Sequence, residues 1–389
     1  MSTEGRKIRV GMVGGGGPNN FFGAPHRRAI LMDNTAELTA GALRSDPEQS
    51  EAEAKRHYFS FGYPDYTSMI EDQTRLHENV RMDYVTIVTP NNSHYPIAKD
   101  ALEHGFPVLC EKPLTMTVTE AIELQELAEK TDLPFGVVYT YCALPMVMLA
   151  REFVRNGDIG VIRKVEAWYP QGWLSGRTED AGIQQAQWRV DPKKSGASGC
   201  GGDIGTHAYQ FIRFVTGLRA LEVSARAKTF VEDRALDDDF TVLARLSGGD
   251  AIATVSASQV TIGAQNDNGF RVIGSEGTAE WSMVDHQSLK VLKAGQPVQV
   301  FRQGADYGYF PKCIKPYLRL PSGHPEGFHE ALANLHRTIE WTIRRKNGET
   351  TCPEPYPHPG VEDGADGMAF IEAAVASSNE DGAFVALDI

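Results

Sequence analysis

Asp203 and His207 stand four residues apart in GGDIGTH (201–207). At the start of a helix that spacing puts both side chains on one face. An imidazole there can take a proton from an alcohol, while the carboxylate orients the substrate or a neighbouring group. Both residues also have plainer readings. Asp203 can cap a helix whose apolar stripe is Ile204, Phe211 and Val215, and His207 can be a hydrogen-bonded core histidine. Lys112 lies in Glu111-Lys112-Pro113, directly after the apolar run FPVLC. The C-terminal end of a buried strand is where open parallel sheets bind ligands. A lysine partly removed from water at such an edge can help to move a proton. Pro113 cannot extend a ladder and so fixes the turn. The alternative for Lys112 is an ordinary loop charge.

Gly14, Gly15, Gly16 and Gly17 point to a different task. They lie between an apolar run at 8–13 and a helical pattern from about Phe22. Glycines there let the backbone turn tightly and approach a pyrophosphate, whose charge a helix N-terminus favours. Gly14 and Gly16 supply the first two positions of G-x-G-x-x-G. The third does not fit, because the nearest candidate for it, Gly23, comes only after the longer loop GPNNFF. A flexible turn is the competing reading. Leu43-Arg44-Ser45-Asp46 follows the second strand, where an adenosine ribose would end. Asp46 suits a ribose 2′-hydroxyl and hence NAD; Arg44 and Ser45 suit the 2′-phosphate of NADP. Asp46 could equally cap the next helix, with Arg44 a solvated charge. The reading is NAD, with NADP left open.

These residues need elements to position them. Buried strands are expected at 8–13, 37–43, 84–89 (YVTIVT), 106–110 and 134–138, and helices at 47–57, 96–104 and 118–130. That alternation predicts a parallel sheet wound on both faces, a Rossmann-type α/β domain over residues 1–140. After a helix at 145–156 the rhythm changes to long extended runs at 161–169, 222–230, 240–246, 251–260, 269–273 and 278–282, several alternating in polarity. Helices are expected at 204–216, 327–345 and 361–378. Residues 141–389 therefore read as an α+β domain with one large open, mainly antiparallel sheet, used for substrate binding and oligomerisation.

Composition limits the partners. Among 389 residues, 51 acidic and 38 basic side chains give a net charge of −13, which repels nucleic-acid backbones. No stretch reaches the roughly 18–20 apolar residues of a spanning helix, and the apolar run at the start is too short for a signal peptide. The five cysteines are scattered without a C-x-x-C pair. They suggest a reducing, cytoplasmic setting and no metal site.

Three further motifs occur in order: TPNNSH (89–94) after one strand, CEKPL (110–114) after the next, and GGDIGTH in the second domain. With the N-terminal glycine loop, they make the chain resemble the glucose–fructose oxidoreductase / inositol dehydrogenase / MocA family over nearly its whole length. The runs YPQGWL, QWR-DP-K-SG and GDIGTHA are similar to a bacterial branch acting on pyranose sugars or glycosides. The resemblance implies that Asp203 and His207 are the acid–base pair. It places Lys112 on the substrate hydroxyl and Glu111, Lys112 and Pro113 in the nicotinamide pocket. It implies that Thr89, Pro90, Asn92 and His94 border the ribose and nicotinamide, and that Trp188 and Arg189 reach back to the dinucleotide, beside Gly14, Gly16, Gly17, Phe22, Arg44, Ser45 and Asp46. Tyr141, Tyr169, Gln171 and Trp173 would face the sugar, the alternative for the aromatics being core packing. Lys193 and Lys194 would bind an acidic substituent or form a solvated turn; His324, in SGHPEGFHE, would open a helix and cap the pocket.

The expected activity is hydride transfer between NAD(P) and a ring hydroxyl of a sugar, inositol or glycoside. Two alternatives use the same motifs. One is a glycosidase that retains its NAD through oxidation, elimination, hydration and re-reduction. The other is a non-catalytic dinucleotide sensor. A half-covered sheet needs a cover, so a homodimer or homotetramer is expected.

Overall fold

The computed structural model describes residues 5–17 and 20–388, with Gln184 described by its backbone alone, so Pro18 and Asn19 of the GPNNFF loop lie outside the described residues. Contacts group the chain into two units. The first comprises Met1–Thr115, Thr119–Thr140 and Phe328–Gly364; the second comprises Met116–Val118, Tyr141–Gly327 and Ala365–Ile389.

The first unit alternates strand and helix: β1 (Ile8–Gly14), α1 (Gly23–Met32), β2 (Ala36–Ala42), α2 (Pro47–Arg56), β3 (Phe61–Gly62), α3 (Tyr66–Arg75), β4 (Tyr84–Val88), α4 (His94–Glu103), β5 (Val108–Cys110), α5 (Val118–Thr131) and β6 (Phe135–Val137). All six strands run parallel in the order β3-β2-β1-β4-β5-β6. Every residue of β4 is buried, as a β-branched strand covered on both faces must be. Helix α2 starts on a short acidic side chain: Asp46 accepts from the Gln49 N–H, with Pro47 at the first helical position. Helix α3, which has no counterpart in the sequence reading, starts on Asp65, which accepts from Ser68.

The second unit carries α6 (Pro145–Arg155), β7 (Ile162–Pro170), α7 (Gln184–Arg189), α8 (Pro192–Ser195), α9 (Thr206–Thr216) and the strands β8 (Ala220–Lys228), β9 (Asp239–Leu246), β10 (Ile252–Ser258), β11 (Gly269–Gly274), β12 (Gly277–Ser282), β13 (Ser288–Lys293) and β14 (Gln299–Arg302). The nine-stranded sheet has the order β14-β13-β12-β11-β7-β10-β9-β8-β15, β15 being Val385–Ala386. It is antiparallel except where β7 and β10 pair in parallel. Strand β9 alternates buried Phe240, Val242 and Ala244 with exposed Thr241, Leu243 and Arg245. Helix α9 packs on the inner face, where Phe211 meets Phe270 and Trp281 at centroid distances of 5.3 and 5.5 Å. Strands β13 and β14 were not foreseen.

Helix α10 (Phe328–Lys346) groups with the first unit, whereas the sequence reading assigned residues 328–364 to the second domain. It lies along α1, joined by an Arg337–Asp33 ion pair at 2.6 Å and by the Thr35 hydroxyl donating to Glu340 at 2.8 Å. These contacts link residues about 300 positions apart in the chain, so local periodicity carries no trace of them. Helix α11 (Val361–Asn379) follows; in the second unit Tyr209 stacks on its Phe370 at 4.0 Å and donates to its Asp366 at 2.6 Å. No helix among the described residues is long and apolar enough to cross a membrane.

Burial raises the Glu340 carboxyl from its ordinary value of 4.5 to about 7, against the pull of the Thr35 hydroxyl and the nearby Arg344 and Arg337. The folded chain therefore holds this proton more tightly than the unfolded chain. Its contribution to stability is fully present below pH 4.5 and is lost as pH rises through about 7. Glu340→Gln keeps an acceptor for Thr35 and removes the titration. It is expected to stabilise the protein at pH 8 by up to about 3 kcal/mol and to change little at pH 4.5. Urea unfolding at both pH values measures this; an equal effect at both removes the linkage.

Candidate active site

In the first unit the glycine turn leaves β1 and enters α1. Gly14 has φ of +81°, and a Cβ there would lie 2.4 Å from the Val88 carbonyl oxygen, so only glycine fits. Gly23 supplies the contact that the interrupted fingerprint seemed to lack. A Cβ on it would fall 1.8 Å from the Gly15 oxygen, so α1 meets β1 backbone to backbone. Asn20 shapes the loop by accepting from the Gly23 N–H at 2.7 Å, and Arg27 donates to the Gly15 oxygen at 2.8 Å. The Arg44 guanidinium borders Gly17: a Cβ there would be 2.8 Å from Nη1. Arg44, Ser45 and Asp46 are all exposed, and Asp46 is engaged as the α2 cap. Phe22 is the residue before α1 and stacks edge-on with Phe21. Gly14–Gly17, lying between β1 and the helix α1 and next to a cation, fit a pyrophosphate.

The turns after β4 and β5 stand side by side on the same sheet edge. The Thr89 hydroxyl is buried with no partner among the described residues, and its methyl group borders Gly14. An unmatched hydroxyl beside the cradle suits a polar ligand group. Pro90 and Asn92 are exposed. His94, expected at the ribose, is wholly buried and ties the two turns together: its ring nitrogens lie 2.9 Å from the Pro113 oxygen and 3.0 Å from the Thr89 oxygen. Burial pushes its imidazole below the ordinary range, and a neutral ring donates to one of these carbonyls at a time. Glu111 accepts from the backbone N–H of Lys112 at 3.3 Å and faces His26 at 3.0 Å.

In the second unit six expected residues gather around the start of α9. The His207 ring meets Tyr141 at 5.0 Å and Tyr169 at 5.9 Å between centroids. The two phenols lie 2.7 Å apart. Tyr169 and Gln171 both donate to the Asn266 side-chain oxygen, at 3.1 and 2.6 Å, and Trp173 donates to Gln171 at 2.9 Å. Burial holds the Tyr169 hydroxyl well above its usual range, so it stays protonated. Asp203 lies in a π-helical turn, Gly201–Gly205, that runs on into α9, so the alternative reading of it as a helix cap does not hold. Its Oδ2 accepts from Arg189 Nε at 3.0 Å and Gln259 Nε2 at 2.9 Å.

The remaining expected positions fall differently. Arg189 and Trp188 were expected at the dinucleotide. Arg189 pairs with Asp203 and Gln185, with its guanidinium 4.3 Å from the Trp188 ring and 5.8 Å from the Trp173 ring. Lys194 is half exposed, 3.9 Å from Asp191 in the short helix α8, and Lys193 is exposed. His324 does not open a helix. It is an exposed turn residue four positions before α10, because Pro325 and Gly327 delay the helix.

The sequence reading missed several supporting residues. Buried Asp237 accepts from the Gly199 and Gly201 N–H groups and the Ser198 hydroxyl at 2.8–3.0 Å, anchoring the segment that carries Asp203. Burial outweighs these bonds and raises its carboxyl. Buried Arg234 joins Glu179 and Asp238 and donates to the Leu174 and Gly176 oxygens, fixing the loop after Trp173. The run LDDDF at 236–240 was the available signal; Asn266 and Gln259 gave none.

Residues 8–139 match the family model described as "Oxidoreductase family, NAD-binding Rossmann fold", and residues 147–280 match "GFO/IDH/MocA C-terminal domain". The chain is 33% identical to the uncharacterized oxidoreductase YfiI of Bacillus subtilis (strain 168), over 98% of this chain and 97% of that protein. It is 27% identical to the levoglucosan dehydrogenase of Pseudarthrobacter phenanthrenivorans, over 77% of this chain and 79% of the other. Among solved structures it is similar to an inositol dehydrogenase homolog complexed with NAD+ from Azotobacter vinelandii, with a TM-score of 0.89 and 32% identity over 99% of this chain and 98% of that one. The chain thus belongs to the GFO/IDH/MocA family of NAD-binding oxidoreductases.

Proposed function

We propose that the protein is a dehydrogenase or reductase acting on a ring hydroxyl of a sugar, inositol or glycoside. The observation that carries this reading is the joined row Tyr141, Tyr169, Asn266, Gln171 and Trp173 beside His207. A polyol presents donors and acceptors around a ring with an apolar face, and a row of phenols, amides and indole answers both. The names of the levoglucosan dehydrogenase and the inositol dehydrogenase homolog support the same substrate class.

Gly14, Gly16, Gly17 and Phe22 would hold the dinucleotide phosphates, with Arg44, Ser45 and Asp46 near the ribose and Thr89, Pro90, Asn92 and Glu111 toward the nicotinamide, while buried His94 ties the Thr89 and Pro113 turns together. Bound NAD supplies the hydride acceptor or donor; Arg44 makes NADP worth testing beside it. His207 takes the hydroxyl proton on oxidation and returns it on reduction. Lys112 is the residue that the family resemblance assigns to the substrate hydroxyl, where an ammonium would steady the charge that develops. Asp203, with one oxygen held by Arg189 and Gln259, orients the substrate.

Turnover is measured as reduced nicotinamide across a panel of sugars, inositols and glycosides. His207→Ala and Lys112→Ala are each expected to lower kcat/KM about 10²–10⁴-fold without abolishing dinucleotide binding by calorimetry. Wild-type turnover in the double variant removes the assignment. No turnover with any polyol, joined with aglycone release and no net cofactor reduction, replaces the dehydrogenase with the redox-neutral glycosidase.

We also infer that the outer face of the nine-stranded sheet, with exposed Leu243 and Ile252, is covered by a second copy, giving a homodimer or homotetramer. Sedimentation at micromolar concentration is expected to give a dimer or tetramer, with Leu243→Arg lowering the mass. A monomeric wild type overturns this.

A further inference from the structure

Four polar groups inside the first unit form a line of which the proposed chemistry uses only the Glu111 end. The Tyr84 hydroxyl lies 2.7 Å from His336 Nδ1, His336 Nε2 lies 3.0 Å from His26 Nδ1, and His26 Nε2 lies 3.0 Å from Glu111 Oε1. The other Glu111 oxygen accepts from the Lys112 backbone N–H. The four groups come from β4, α10, α1 and the turn after β5. Tyr84 and His26 have no exposed surface, and His336 has 1%.

Counting hydrogens gives the line a direction. Three contacts need three hydrogens. A phenol, two neutral imidazoles and a carboxylate carry three between them. With Glu111 ionised, one assignment satisfies every contact. The Tyr84 hydroxyl donates to His336 Nδ1, His336 Nε2–H donates to His26 Nδ1, and His26 Nε2–H donates to Glu111. Reversing the line needs a proton on Glu111 or a second one on His26, and it leaves the Tyr84 hydrogen without an acceptor in the line, which is costly in a dry interior. The surroundings agree. Burial, with His26 beside it, pushes the His336 imidazole well below its ordinary range, and burial raises the Tyr84 hydroxyl, helped by Glu340 and Asp83. On the Glu111 side the neighbouring ionisable groups include His94 and the buried Cys110 thiol.

We propose that His26 and His336 are positioning residues. With Tyr84 they form a one-way line of hydrogen bonds that holds the Glu111 carboxylate as acceptor for the Lys112 backbone N–H, and so fixes the peptide carrying the Lys112 side chain. The pattern of bonds stands independently of the function proposed above; its effect on turnover rests on the role of Lys112 in that reading.

Two measurements test it. The first is imidazole 15N NMR of the full-length wild-type protein, with the two signals assigned by His26→Gln and His336→Gln, from about pH 6 to 8. Both rings are expected to carry hydrogen on Nε2 and none on Nδ1 throughout. An Nδ1–H form of either ring, or a doubly protonated His26, overturns the line without any substrate or cofactor being needed. The second compares His336→Leu with His336→Gln, whose amide can both donate to His26 and accept from Tyr84. The leucine variant is expected to lose about tenfold in kcat with KM for the dinucleotide unchanged, and glutamine to restore it to within about threefold. Equal loss in both variants, or none in leucine, overturns the positioning role. The expected NMR pattern in a protein that turns over no polyol leaves the line standing and overturns the proposed function instead.

Discussion

Helix α1 and strand β1 meet at a point where even one methyl group would not fit: a Cβ on Gly23 would fall 1.8 Å from the Gly15 oxygen. Much of the first unit follows from that approach. It sets the axial position of α1, so the helix N-terminus opens directly onto the glycine turn. It also fixes the rotation of α1. Three residues on, His26 faces the interior and meets Glu111, while Arg27 turns back to the Gly15 carbonyl. A larger residue at position 23 would push the helix outward and disturb the cradle and the buried histidine together.

The second unit solves a similar problem with charge. Asp203 is carried by a glycine-rich segment that lacks bulk to hold itself in place. Asp237 gathers the backbone of that segment, and Arg234 spends its donors on the loop beyond Trp173 and on Glu179 and Asp238. Buried carboxylates and guanidinium groups are expensive to desolvate, and removing one partner leaves the other uncompensated. Such groups therefore hold irregular backbone in one geometry, where a helix or ladder would need no such help.

Much of the fold was legible because burial leaves a period in the sequence. The unbroken apolar run of β4 and the alternation of β9 identify a doubly covered and a singly covered sheet. Helix α3 was missed because Glu71, Asp72, Gln73 and Arg75 obscure its few buried positions, although Asp65 marks its start. The return of α10 to the first unit left no local signal, since its partners on α1 lie far away in the chain. The broken glycine fingerprint is instructive. Its spacing encodes a loop length, whereas the physical requirement is only a residue without Cβ where helix meets strand, and Gly23 meets it after a longer loop. Lys112, Asp203 and His207 were legible as chemistry-bearing types in motifs. Asn266 and Gln259 were not, because a neutral amide becomes informative only when its partners are known.

The partners of Asp203 also bear on the role that the proposed function gives its carboxylate. Its Oδ2 already accepts two hydrogen bonds, one of them from a guanidinium. An oxygen engaged in that way is poorly placed to take a further proton, and the charge-assisted bond would be lost if it did. The His207 ring, bordered by two phenol rings, is the group to which the proposed function assigns the proton. Under that proposal the carboxylate holds a hydroxyl in place while the imidazole moves its proton. Exchanging those roles would require breaking the Arg189 pair that fixes the carboxylate.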